Sequence, residues 1–305
     1  MSRRGLASLL ALAALTDCGG SAPPPPVDPA LVQTQRLARL AFEQDRPDQA
    51  ATLYRQAQDR AWRRDDLPAI GDTGYNLAVV ELRRGQPAAA LDVARRTGDE
   101  LERRGVPVPA DLELVEAVGL YRTGEAMAAA QLAAHVAARP DASTETVARA
   151  LFLTGLVAAD EGDTAALTAA LAAMGDPTTG TRYTGATEAD RDELVGRLAL
   201  RRGDGAAAEA AFVRAADRRR QLLDDRGMAR ALALAAKACE AQGETATAAD
   251  FYLRAGRSAA LSADTGDAER WLERARQLAL QSATPSVAGE AEARLATLRQ
   301  AANRP

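Results

Sequence analysis

Leu77-Ala78-Val79-Val80-Glu81-Leu82-Arg83-Arg84-Gly85-Gln86-Pro87-Ala88-Ala89-Ala90-Leu91 reads as the end of one helix, a glycine corner, and a second helix folding back on the first. Arg83 and Arg84 fall in a last turn, where positive side chains suit the negative end of the helix dipole. Gly85 can adopt the left-handed backbone that closes a helix, having no Cβ to clash. Pro87 fits the first turn of the next helix, where its missing N–H costs nothing. Ala78, Ala89 and Ala90 are small enough for two antiparallel helices to approach closely. One such hairpin cannot bury its own apolar face and needs neighbours to cover it.

The pattern recurs. Asp45, Gly85, Gly124, Gly162, Gly203 and Gly243 mark corners separated by steps of 40, 39, 38, 41 and 40 residues. A small residue lies seven positions before each corner: Ala38, Ala78, Ala117, Gly155, Gly196 and Ala236. Nine positions after each corner comes a packing residue: Tyr54, Ala94, Ala133, Leu171, Phe212 and Tyr252. Three further on stand Ala57, Thr97, Val136, Met174, Ala215 and Ala255. Few aromatics (4%), plentiful charge (26%) and the lack of alternating β-branched runs all favour helix over strand.

These offsets resemble the tetratricopeptide repeat across about Ala30 to Ala283, although that family's unit is about 34 residues and these are longer. The resemblance implies an all-α fold, a right-handed superhelix of about six to seven antiparallel hairpins, with the first helix of each hairpin lining a concave face. The expected divisions are an export signal over 1–17, a proline-rich tether over 18–29, and hairpins over 30–175. An irregular loop over 176–187, with Tyr183 at its tip, then leads to hairpins and capping helices over 188–302. Gly266 reads as one more corner near the end of the array.

Ser2-Arg3-Arg4 and the apolar run Gly5–Leu15 form an export signal too short to be a spanning helix. Leu15, Cys18, Gly19 and Gly20 resemble a bacterial lipoprotein signal, with Asp17 where that family has a small residue. Ser2–Leu6 also resembles part of a twin-arginine signal. The resemblance implies lipidation of Cys18 and a place in the bacterial cell envelope, on the outer membrane facing the periplasm. Pro23–Pro26 would then be a stiff spacer, because consecutive prolines favour extended polyproline II.

Little in the chain suggests catalysis, a metal or a cofactor. His135 is the one histidine, and metal or histidine chemistry would need partners it lacks. Cys239 sits at a core-type position. Gly203-Asp204-Gly205 is a helix corner, not a phosphate loop, because no strand precedes it. Asp65-Asp66 and Asp224-Asp225 read as acids on turns, and Arg218-Arg219-Arg220 as a solvated helix face. A net charge of −4 argues against a nucleic-acid partner.

What remains is a protein- or peptide-binding surface. The residues expected to face inward and contact a partner are Arg39, Tyr75, Asn76, Tyr121, Arg149, Arg197 and Lys237. The family's carboxylate clamp is not expected, since only Asn76 fits it and Gln35 and Arg39 stand where its lysine and another asparagine would be. Two functions stay open: a lipid-anchored scaffold for envelope assembly, secretion or wall remodelling, and an enzyme or small-ligand receptor working in the concave face.

Overall fold

The computed structural model describes residues 27–175, 184–261 and 265–302, and these form fourteen helices with no strand among them. The helices are α1 (Pro29–Glu43), α2 (Pro47–Arg63), α3 (Leu67–Arg83), α4 (Pro87–Arg103), α5 (Ala110–Arg122), α6 (Ala126–Ala138) and α7 (Thr144–Glu161). They continue with α8 (Thr164–Met174), α9 (Gly185–Arg201), α10 (Gly205–Gln221), α11 (Asp225–Ala241), α12 (Thr245–Leu261), α13 (Thr265–Gln281) and α14 (Pro285–Ala302). Each helix packs chiefly on the next, and first helices of adjacent hairpins also touch, as in α3–α5, α5–α7 and α7–α9. The result is a stack of seven hairpins.

All six corners read from the sequence turn through the left-handed region, with φ of 53° at Asp45, 72° at Gly85, 90° at Gly124, 79° at Gly162, and 77° at both Gly203 and Gly243. Each is closed by the same backbone bond, from the residue after the corner to a carbonyl five positions back. Gln86 N donates to Glu81 O at 2.9 Å, Glu125 N to Leu120 O at 2.9 Å, and Asp204 N to Ala199 O at 3.0 Å. This satisfies carbonyls that a helix end would otherwise leave bare.

The connections between hairpins use the same device, which the sequence hides because glycine is mostly missing there. Asp65, Leu223 and Ala283 take φ of 55°, 57° and 51°. Asp66 N donates to Ala61 O at 3.1 Å, and Asp224 N to Arg219 O at 2.9 Å. Asp66 and Asp224 also cap α3 and α11 through their side chains. One acid of each pair, Asp66 and Asp224, is therefore structural.

Three boundaries differ from the sequence reading. Pro29 belongs to α1, not to the tether, because Asp28 caps the helix by accepting from the N–H groups of Ala30 and Leu31. The irregular stretch after Gly175 ends at Thr184, whose side chain caps α9, so 185–187 are helical. Gly266 is no corner: it lies in the first turn of α13. Cys18, the rest of the signal and tether before Val27, and Tyr183 lie outside the described residues.

The core is built mainly from alanine. Ala38, Ala78, Ala117 and Ala236, the small residues before the corners, are all fully buried. Gly196 has no room for a side chain there, because a Cβ on it would come within 2.6 Å of Cε1 of the buried Phe212 ring. Gly155 is similar: its Cβ would stand 2.5 Å from a Leu194 methyl. Where the helices carry their largest side chains on one partner, the other must carry none. Among the described residues, no helix is long and apolar enough to cross a membrane.

The arginine run on α10 is not a solvated face. Arg218 reaches Asp192 at 2.8 Å and also Glu188, Arg219 binds Asp190 and Asp224, and Arg220 pairs with Asp217. Arg218 and Arg219 thus tie α10 to α9, because the α9 carboxylates Glu188, Asp190 and Asp192 face that side of the hairpin.

Candidate functional site

The array curves until α11 meets the first corners. Arg226 donates from Nη1 to the carbonyl oxygen of Arg83 at 3.1 Å and stands 3.9 Å from Asp45, which Arg83 also holds at 3.1 Å. The carbonyl belongs to the C-terminal end of α3, where unpaired oxygens and the helix dipole both attract a cation. Inside the curve lies a cavity of about 700 Å³.

Five first helices wall it. Tyr121 comes from α5, Phe152 and Leu156 from α7, Glu193 and Arg197 from α9, Arg230, Ala233, Leu234 and Lys237 from α11, and Arg270, Trp271, Glu273, Arg274 and Gln277 from α13. Arg219 of α10 and Tyr252 of α12 reach in from second helices. Asp267 and Gly227 complete the lining. Six cations (Arg197, Arg219, Arg230, Lys237, Arg270, Arg274) stand against three carboxylates (Glu193, Asp267, Glu273), so the lining carries a net charge of +3. Asp160, Asp190 and Glu240, just outside the lining, each pair with one of these arginines, so the cations left unpaired carry the charge a ligand meets.

Most of the polar groups are held by neighbours. Arg197 binds Glu193 at 2.8 Å and Asp160 at 3.3 Å. Tyr121 donates its hydroxyl to the same Asp160 at 2.5 Å, and burial, then that carboxylate, push its pKa up to about 12. Arg274 is paired with Glu240, and Arg270 with Asp267. Burial first, and the Glu240 acceptor second, raise the Tyr252 phenol so that it stays neutral. Behind Arg219, the buried Asp190 is pushed up to about 6 by burial, which outweighs the pull of the guanidinium. The wall is thus a preset lattice of donors, stiffened by pairs that cross from helix to helix.

Two cations differ. Arg230 and Lys237, on one face of α11, make no ion pair among the described residues. Across from them Arg122, at the end of α5, donates to Leu82 O at 2.8 Å. Arg122 keeps solvent contact, yet it is crowded by protein; burial first, then the like charge of Arg230, lower its pKa.

Of the seven residues expected to meet a partner, three converge here: Tyr121, Arg197 and Lys237. Tyr75 lies instead in a separate, mostly apolar recess between α3 and α5, with Leu67, Pro107 and Asp111. Arg149, bound to Glu145 at 3.0 Å, is near enough to Tyr75 to act on its charge. Asn76 turns back on its own helix, donating to Asp72 O at 2.7 Å, so it presents no clamp. Arg39 bonds the Tyr54 phenol at the first hairpin. The sequence reading missed Arg122, Arg230, Trp271 and Arg274. Arg230 was detectable as the residue seven before Lys237, hence on the same helix face.

The other clusters are structural. Cys239 is fully buried, and burial plus Glu209 push its thiol up to about 12. Glu209, Cys239 and Glu244 lie near one another, but the proton held on this thiol makes it a poor ligand.

Stacked hairpins joined by left-handed corners, curving around an inner face, define an all-α helical-repeat solenoid. The chain has the fold of the tetratricopeptide-repeat proteins. Neither a family model nor a curated protein matches it. Among solved structures it is similar to a Rap protein complexed with Competence and Sporulation Factor, with TM-score 0.61 and 12% identity over 89% of this chain and 77% of that one. It is also similar to PilW, a type IV pilus biogenesis factor, with TM-score 0.53 and 15% identity over 74% of this chain and 92% of that one. A tetratricopeptide repeat protein from Parabacteroides merdae matches with TM-score 0.50 and 12% identity over 87% of this chain and 100% of that one.

Proposed function

We propose that the chain is a protein-interaction scaffold that holds a segment of a partner in its concave cavity, and that a lipid on Cys18 tethers it to the bacterial cell envelope. The observation that carries the binding role is the cavity itself. It offers about 700 Å³ of space, four aromatic rings (Tyr121, Phe152, Tyr252, Trp271) and arginines fixed by cross-helix pairs. Aromatic and arginine side chains held rigidly are the usual anchors of binding energy. The volume also lies in the range of small-molecule sites, about 300–1,000 Å³. The likeness to a Rap protein solved with Competence and Sporulation Factor supports a partner-holding role.

Catalysis is not part of this reading. Each acid in the lining has a cationic neighbour: Glu193 has Arg197, Asp267 has Arg270, and Glu273 has Arg276, which holds its pKa below the ordinary carboxylate value. At Glu273 that pairing favours the ionised carboxylate and disfavours proton transfer.

The tether rests on the sequence of residues 1–26: a basic start, a short apolar run, Cys18 before two glycines, and the proline spacer. The place on the outer membrane, facing the periplasm, rests on Gly19 directly after Cys18 in a signal of this kind.

The test is a photocrosslinking phenylalanine analogue at Leu156, in the full chain in the cells that produce it. The expected result is a discrete crosslinked protein that disappears when Arg197 and Lys237 are both changed to glutamate. If Leu156 captures no more than Gln131, exposed on α6, the scaffold reading fails. Metabolic labelling with a palmitate analogue, with Cys18→Ala as the control, tests the tether. Incorporation that persists in the variant, or is missing from the wild type, removes it.

A further inference from the structure

We propose that the cavity selects an acidic segment of a partner: two carboxylate side chains three residues apart in extended chain, with an apolar side chain between them. This rests on the scaffold reading above and names the chemistry of its occupant.

Arg230 and Lys237 are two turns apart on α11, about 10 Å along the helix at 1.5 Å per residue. Three residues of chain extended as polyproline II make one turn and span about 9 Å, so the side chains at its two ends face the same way. Leu234 lies between the two cations, and Trp271 and Tyr252 line the same cavity, so an apolar side chain from the segment has a floor to rest on. Neither cation has a carboxylate partner among the described residues, whereas Arg197, Arg219 and Arg274 all do. Arg122 faces Arg230 with like charge, which is unfavourable until an anion lies between them.

A polyphosphate chain fits less well. The carboxylates of Glu193 and Glu273 stand in the same wall and would repel a continuous line of phosphates. A segment with spaced carboxylates can pass them.

The probe is a short synthetic peptide repeating aspartate, leucine and serine. The reporter is Trp271, made the sole tryptophan by Trp62→Phe at a partly exposed position. The expected result is a saturable change in Trp271 fluorescence that weakens as salt is added. Arg230→Ala with Lys237→Ala should weaken binding by about tenfold or more, with the helical circular dichroism unchanged. Lysine in place of aspartate should abolish binding. No saturable change with the aspartate peptide overturns the proposal, as does equal binding of the lysine peptide or tighter binding of polyuridylate. A natural partner crosslinked from Leu156 through a neutral or basic segment also overturns it, while leaving the scaffold reading intact.

Discussion

Arg226 and Arg83 lie 143 residues apart, yet the first donates to the carbonyl oxygen of the second at 3.1 Å. This bond draws the start of the sixth hairpin onto the end of α3. Arg226→Ala should let the array open. Small-angle scattering should show a larger radius of gyration, and amides around Gly85 should exchange faster. Stability should fall by about 1 kcal/mol, the usual net value of a hydrogen bond. An unchanged radius of gyration would show that packing alone sets the curvature.

Gly196 faces the Phe212 ring, with three ring atoms 2.6–2.8 Å from where a Cβ would sit. The ring is fully buried and has no room to retreat. Gly196→Ala should therefore destabilise by about 1–3 kcal/mol in urea unfolding. Phe212→Leu made in the same chain should recover part of that loss, so the two changes should be non-additive.

Leu223 holds φ of 57° and is 86% exposed. A left-handed backbone costs a residue with a Cβ about 1–2 kcal/mol. Leu223→Gly should raise the unfolding midpoint, since nothing apolar is lost from the core. Gly85→Ala should do the reverse by about 1 kcal/mol, because no atom stands within 4 Å and only the backbone resists. Equal and opposite shifts in thermal unfolding would tie both to the corner geometry.

Two acids give stability opposite slopes with pH. Arg60, opposed by burial and aided by backbone N–H groups, holds Asp28 down at about 2 from an ordinary 3.8. Its contribution is present above about pH 4 and is lost as pH falls toward 2. Asp190 is raised from 3.8 to about 6, so its effect has the other sign. The Asp190 contribution is fullest below about pH 4 and declines as pH rises from 4 to 6, because the unfolded chain releases that proton more readily. Asp28→Asn should flatten the acid limb of urea unfolding measured across pH. Asp190→Asn should flatten the slope between pH 4 and 6.

The repeat was legible because its signals are local. A left-handed corner favours glycine, a close helix crossing demands alanine or glycine, and both recur at fixed offsets, as at Gly85 with Ala78 and at Gly203 with Gly196. The corners at Asp65, Leu223 and Ala283 were hidden because the closing backbone bond does not strictly require glycine. The cavity was half legible. Helix periodicity pointed Tyr121, Arg197 and Lys237 inward, but which inward residues meet depends on curvature. Curvature sums small rotations over seven hairpins, and no single residue encodes it. For that reason Tyr75 and Asn76, correctly placed on a first helix, end up away from the cavity that Trp271 and Arg230 share.

The contact between Arg226 and Arg83 also bears on how the chain assembles. Nearly every other packing contact joins neighbours in sequence, so hairpins can form anywhere and grow outward with little loop entropy to overcome. The meeting of α11 with α3 instead closes a loop of more than a hundred residues, and its entropy is recovered only once the hairpins between are stiff. Folding therefore proceeds as a line and finishes as a ring. The walls are built early by local steps, and the chamber they enclose is the last thing to exist.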